Sequence, residues 1–163
     1  MTDHPTSAPG LALVLDAGCR SIEQTIDDYL SARGGPAAAA QRLQEAVTAL
    51  RRHIFAQEEL LLPLLRGTTL DGPAHAMSVD HLQLWDTLDR VEAGLAAPTD
   101  PEVRRTAARI LQAELDRHTT KERPIIFDHV EDVLSPEQQR EVAERIETVE
   151  MPPGWVCPDP SGD

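Results

Sequence analysis

Residues 111–125 read LQAELDRHTTKERPI, and their spacing decides the fold. Leu111 and Leu115 stand one helical turn apart, His118 and Glu122 continue the same line, and Ile125 resumes it. Intervals of three and four residues mark one face of an α-helix. The face is apolar except where His118 and Glu122 interrupt it. An unpaired ionisable group in a packed core is costly, so the two residues require a hydrogen-bond partner, an opposite charge or a metal ion.

Outward from this stretch, prolines and glycines fall between periodic segments and divide the chain into four long helices and a short fifth, with no strand signal. The expected helices span about 11–32, 36–66, 73–97, 101–134 and 136–149. Gly34 and Gly35 stop the first, and Pro36 opens the second, which Gly67 closes. Asp71, Gly72 and Pro73 precede the third, Thr99 and Asp100 offer caps before Pro101, and Ser135 with Gln138 forms a capping box for the fifth. Apolar stripes follow Leu11, Leu15, Gly18, Ile22, Ile26 and Tyr29 on the first helix, and Leu43, Val47, Leu50, Ile54, Leu61 and Leu65 on the second. Ala74, Met77, Leu84, Trp85, Leu88 and Leu95 form the third, and Val103, Ala107, Leu111, Leu115 and Ile125 the fourth. Short connections between such helices imply antiparallel neighbours, hence an all-α, up-and-down four-helix bundle with a short C-terminal helix. We read residues 1–10 as a flexible N-terminus, 11–149 as the bundle and 150–163, MPPGWVCPDPSGD with its leading Glu150, as a Pro-rich mobile tail.

Composition narrows the function classes. A length of 163 residues with 40% hydrophobic content suits one core. The net charge of −13 repels phosphate backbones and anionic lipid, so neither nucleic acid nor a membrane is an expected partner. No run of about 18 apolar residues is present, and MTDHPTSAPG lacks the order of a signal peptide, so a cytoplasmic location is expected. Cys19 and Cys157 then read as thiols rather than a disulfide. No nucleophile with an adjacent base, glycine-rich phosphate loop or Cys-x-x-Cys pair supports hydrolase, kinase or thiol-redox chemistry. Oligomeric state is left open.

Two more helices carry polar residues on their apolar stripes. His81 is centred among Met77, Leu84, Trp85 and Leu88, while His53 and Gln57 lie on one edge of the second helix's stripe and Glu58 nearer its centre. A single buried histidine needs only a hydrogen bond. One on each of three helices, with carboxylates near two of them, is the donor set of a metal site. Nitrogen and oxygen donors suit iron or manganese and admit zinc, whereas the absence of a Cys pair argues against copper(I).

Three segments strengthen this reading: RRHIFAQEELLLPLL at 51–65, DHLQLWDTL at 80–88 and HTTKERPIIFDHVEDVLSPEQQ at 118–139. Together they resemble the hemerythrin, or HHE cation-binding, family across about 11–149. The resemblance implies a four-helix bundle with a non-haem di-iron centre that binds O2 or meets peroxide, nitric oxide or redox change. By resemblance His53, His81, His118 and Glu122 are metal ligands.

The chain departs from that pattern twice. Where the family's first helix offers a histidine, LVLDAGCRSIEQ at 13–24 places Gly18 or Cys19, and where the second offers a glutamate four residues past its histidine, Gln57 stands. Glu58 is the nearer substitute and the fifth expected ligand, although it lies about 140° around an ideal helix from His53, so joint binding requires the helix to deform near Pro63 or the ions to be two. One reading is a single iron on His81, His118, Glu122 and either His53 or Glu58, with an open position. Cys19 can supply a thiolate or pack as a small thiol beside Ile22; Glu23 and Asp16 are further substitutes or solvated carboxylates. Glu114, one turn before His118, can orient that imidazole. Two further readings stand beside the iron protein: a metal-dependent oxidase or oxygenase acting on a small organic substrate in a pocket beside Gly18 and Trp85, and a metal-free helical interaction scaffold.

Overall fold

Side-chain caps and prolines start the helices where the sequence places them, in a computed structural model that describes residues 9–31, 35–96 and 100–162. Helix α1 spans Leu11–Ser31, α2 Pro36–Ala56, α3 Asp71–Ala96, α4 Pro101–Glu122 and α5 Pro136–Ile146, with no strand among the described residues. Asp100 accepts from the Glu102 N–H at 2.9 Å ahead of α4. Ser135 and Gln138 close the expected capping box on α5, with bonds of 3.2 and 2.9 Å. Gly67, at φ +73°, supplies the left-handed turn after the second helical segment, a conformation in which a Cβ is strained. The expected stops at Ala32 and Gly34, the end near Ala97 and the cap at Thr99 lie outside the described residues, as does most of the 1–10 segment. Asp71, Gly72 and Pro73 form the first turn of α3 rather than its approach, since proline is tolerated where an N–H has no helical partner.

Helix α1 packs on α2 and α4, and α3 packs on α2 and α4, the neighbour relations of an up-and-down bundle. The short α5 lies against α1 and the end of the second segment. No described helix is long and apolar enough to cross a membrane.

Two helical segments change pitch at a proline. After α2 the chain forms a π turn, Gln57–Leu61, and one α turn, Leu62–Leu65; after α4 it forms a π turn, Arg123–Phe127, then a break and the turn Val130–Val133. Pro63 and Pro124 have no N–H and clash with the carbonyl four residues back, so the ladder re-forms with bonds one residue longer. Leu62 donates to the Gln57 carbonyl, and Asp128 to that of Arg123 at 3.0 Å. Each inserted residue turns the downstream part of its helix by about 100°. Ile125 is therefore exposed, contrary to the stripe reading, and Ile126 and Phe127 are buried in its place. Val103 is also exposed, the buried line of α4 running through Ala108, Leu111 and Leu115.

The core is two apolar halves. One gathers Leu11, Leu15, Leu61, Leu65, Met77 and Ile126; the other gathers Ile26, Leu43, Leu50, Leu84, Leu88 and Leu111. The polar interruptions of α1 to α4 lie between them.

The C-terminal segment, expected to be mobile, is laid on the bundle. Trp155 stacks edge-on against Phe55 and Trp85, each with ring centroids 5.1 Å away, and its Nε1 donates to Glu59 at 3.0 Å. Cys157 is buried. Arg51 is buried over the Trp85 ring at 4.3 Å and bound to Asp89 and Glu92. Aromatic area and the Nε1 bond together outweigh the ordering cost of the proline-rich chain. We expect Trp155→Ala to cost about 2 kcal/mol of unfolding free energy in a urea titration, below the span for a fully buried Trp because this ring is partly exposed. An unchanged midpoint would show that the tail adds nothing.

Candidate metal centre

The layer between the core halves is built from four helical segments. On α4, His118 and Glu122 point inward together, with Nε2 3.4 Å from Oε2. His81 enters from α3, its ring 4.9 Å from that of His118 and tilted by 53°. Three donor atoms, one each from His81, His118 and Glu122, lie within 4.8 Å of one another, and all three side chains are buried.

Each imidazole is fixed from its far nitrogen. His81 Nδ1 donates to Glu58 Oε1 at 2.6 Å, and the other Glu58 oxygen accepts from Ser78 Oγ at 3.1 Å. His118 Nδ1 lies 3.4 Å from Asp80 Oδ2, which Lys121 also pairs. A carboxylate on Nδ1 sets the ring's tilt and leaves Nε2 as the basic donor. His81 Nε2 and, on α4, Glu122 Oε1 are buried with no hydrogen-bond partner among the described residues. Buried polar atoms are rarely left so, and two on side chains of one convergent set mark a place where a further group belongs.

On the α1 side, His53 Nε2 accepts from Gln57 Nε2 at 2.7 Å and lies 3.3 Å from Cys19 Sγ. The same Sγ donates to Glu122 Oε2 at 3.7 Å. Cys19, His53 and Glu122 form a second convergent set within 4.8 Å, so Glu122 belongs to both. A Cβ on Gly18 would stand 3.3 Å from His53 Nδ1, so the glycine is what lets that ring lie close to α1. Beside it, a cavity of about 310 Å³ opens, lined by Gly18, Ile22, Ala49, Arg52, His53 and Ile146 among others.

The π turn settles where the second segment's polar residues face. Gln57 is fully buried and turned to His53; Glu58 is turned to His81. Of the five residues expected as ligands, the structure brings His81, His118 and Glu122 together and sets His53 beside Glu122 with Cys19. Glu58 stands behind His81 on its Nδ1 edge instead. Glu114 is not the partner of His118; Asp80 is, a role that sequence reading missed although Asp80 adjoins His81 and faces Lys121 across the α3–α4 contact. Asp16 and Glu23 are bound by Arg123 at 2.6 and 2.9 Å, and Thr119 Oγ1 donates to Glu23 at 2.8 Å, so both tie α1 to the α4 π turn. Trp85 packs under Trp155 and takes no part in the Gly18 cavity.

Charge follows this geometry. Burial opposes ionisation of His118, yet hydrogen bonds to Asp80 and Glu122 raise its pKa to about 9. Against the same burial, His118, His53 and His81 hold Glu122 below the usual carboxylate range. The bond from His118, against burial, lowers Asp80 to about 2, and burial lowers His53 to about 4. Burial and the adjacent Glu122 push the Cys19 thiol well above its usual value. Two imidazoles and a carboxylate with donor atoms within 4.8 Å of one another form a donor set that fits iron, manganese or zinc.

Comparison with known proteins points the same way. The family model described as the hemerythrin HHE cation binding domain matches residues 14–130. No curated protein and no solved structure matches the chain.

Proposed function

Because the chain belongs to the hemerythrin HHE cation binding domain family, we propose that it is a non-haem iron protein, with iron held by His81, His118 and Glu122 and with O2, peroxide or nitric oxide as its small-molecule ligand. The observation that carries the reading is the convergence of one donor atom each from His81, His118 and Glu122 within 4.8 Å, on buried side chains of which His81 and Glu122 each keep an atom without a hydrogen-bond partner among the described residues. Two imidazoles and one carboxylate with positions to spare is a ligand set of non-haem iron. Iron bound there would supply open coordination positions and electrons for a diatomic or peroxidic ligand.

The protein's own residues do the rest. Glu58 and Asp80 hold the two imidazoles in register, and the apolar halves above and below keep bulk water from the layer. His53 and Gly18 leave one side approachable from the cavity. That cavity also favours a second reading, an oxidase or oxygenase whose small organic substrate sits against Gly18 and His53 with Arg52 at the wall. Its volume is at the low end for a substrate pocket.

Elemental analysis of untagged protein from iron-supplemented cells, with absorption spectra before and after dithionite, tests the first reading. Stoichiometric iron, a dithionite-sensitive spectrum and a nitric oxide adduct of the reduced protein are expected. Protein without metal above background would sink it in favour of a helical scaffold. The same site predicts a dependence on pH. The metal-free site holds a proton on His118 until the pH passes about 9, and an incoming ion must expel it. Affinity for zinc should therefore rise about tenfold per unit as pH increases toward about 9 and level off above. Calorimetric titrations in two buffers of different ionisation enthalpy would show about one proton released per ion at neutral pH. A pH-independent affinity would contradict the assignment of His118 as a ligand.

A further inference from the structure

We propose that Cys19, His53 and Glu122 form a second metal half-site, unlike the first in carrying a thiolate, which takes a thiophilic divalent cation such as zinc, cobalt or ferrous iron. The inference rests on the reading of Glu122 as an ion ligand and adds to it His53 and Cys19, the second of which stands where this chain departs from its family.

Distances carry the argument. With metal–sulfur bonds of about 2.3 Å and metal–nitrogen or metal–oxygen bonds of about 2.1 Å, a tetrahedral ion holds sulfur about 3.6 Å from its other donors. Cys19 Sγ lies 3.3 Å from His53 Nε2 and 3.7 Å from Glu122 Oε2. A thiol that merely fills space has apolar neighbours. Cys157, the chain's other thiol and also buried, has among the described residues only the Pro158 carbonyl as a polar contact, at 3.9 Å. Glu122, which touches Cys19, and Gln57, which touches His53, each keep a buried oxygen, Oε1, with no partner among the described residues. A carboxylate with one oxygen unused can serve an ion on each side. Gln57 now donates to His53 Nε2, and a cation takes the place of that hydrogen bond, freeing the amide to turn its oxygen inward.

Proton and charge balance without a redox step. Binding forms metal–sulfur, metal–nitrogen and metal–oxygen bonds, releases the Cys19 thiol proton to solvent, and sets a thiolate and a shared carboxylate against the dication. Gly18 makes room for the His53 ring against α1, because a Cβ there would stand 3.3 Å from His53 Nδ1.

Cobalt(II) titration of the chelator-stripped, reduced full-length chain, followed by visible and near-ultraviolet absorption, tests the inference. Two equivalents should bind, and a sulfur-to-cobalt charge-transfer band should grow with one of them. Cys19→Ser should lose the band and that equivalent and keep the other, with an unchanged circular-dichroism melt. Cys157→Ser should keep both. His118→Ala should keep the sulfur band while losing the silent equivalent, which separates the two half-sites. One silent equivalent in the unaltered chain, or a band that survives Cys19→Ser, overturns the proposal and leaves the His81, His118 and Glu122 reading standing. A chain that binds no cobalt overturns both.

Discussion

Glu122→Ala is expected to strip the chain of tightly held metal. Glu122 is fully buried and is the one carboxylate that both convergent sets share, so no neighbouring side chain replaces it. Loss of a carboxylate ligand from a three-donor site should lower affinity by more than the roughly 100-fold seen for groups that only orient a ligand. Competition with a chromophoric zinc chelator measures this directly, and iron content after iron-supplemented expression provides the second readout. The metal-free variant must be shown to fold, because Glu122 also accepts from His118 and Cys19. His118 retains Asp80 as a partner, so the far-ultraviolet spectrum should stay helical even where the melting temperature falls. A folded Glu122→Ala chain that carries as much iron as the unaltered one would remove the basis of the metal reading.

For Glu58→Gln we expect a loss of affinity of about 10- to 100-fold, with the metal still bound in excess. Glu58 reaches His81 from the nitrogen that faces away from the convergent atoms, and Ser78 occupies its second oxygen. Its charge makes His81 a better base and its position fixes the ring, but no atom of it enters either donor set. Gln keeps an acceptor for His81 Nδ1–H and loses the charge, so ring orientation should survive while donor strength falls. The comparison with Glu122→Ala decides the role: if Glu58→Gln abolished binding as completely, Glu58 would be a ligand and the geometry of the metal-bound site would differ from that of the metal-free one.

These two substitutions separate what could be read along the chain from what could not. The bundle was legible because helix periodicity, proline starts and the Ser135 capping box are local, and tertiary contacts had only to agree with them. His118 and Glu122 were legible for the same reason: two residues one turn apart on an apolar face are neighbours whatever surrounds them. His81 and His53 could be seen to interrupt their stripes, and the missing first-helix histidine pointed at Gly18 and Cys19. Which atoms meet was not legible. The place of Glu58 depends on a π turn that Pro63 initiates but packing must accommodate, and a shift of one residue turns a presumed ligand into the partner of an imidazole's far edge. The pairing of Asp80 with His118, the hold of Arg123 on Asp16 and Glu23, and the seat of Trp155 all cross between helices or onto the tail. By itself, then, the sequence determined the helices, their buried faces and the donor types available. Only the tertiary structure decided which donors converge, because helix separation and rotation are set by how both apolar halves of the core fill, and changes of a few ångströms there decide whether a side chain is a ligand, a support or neither.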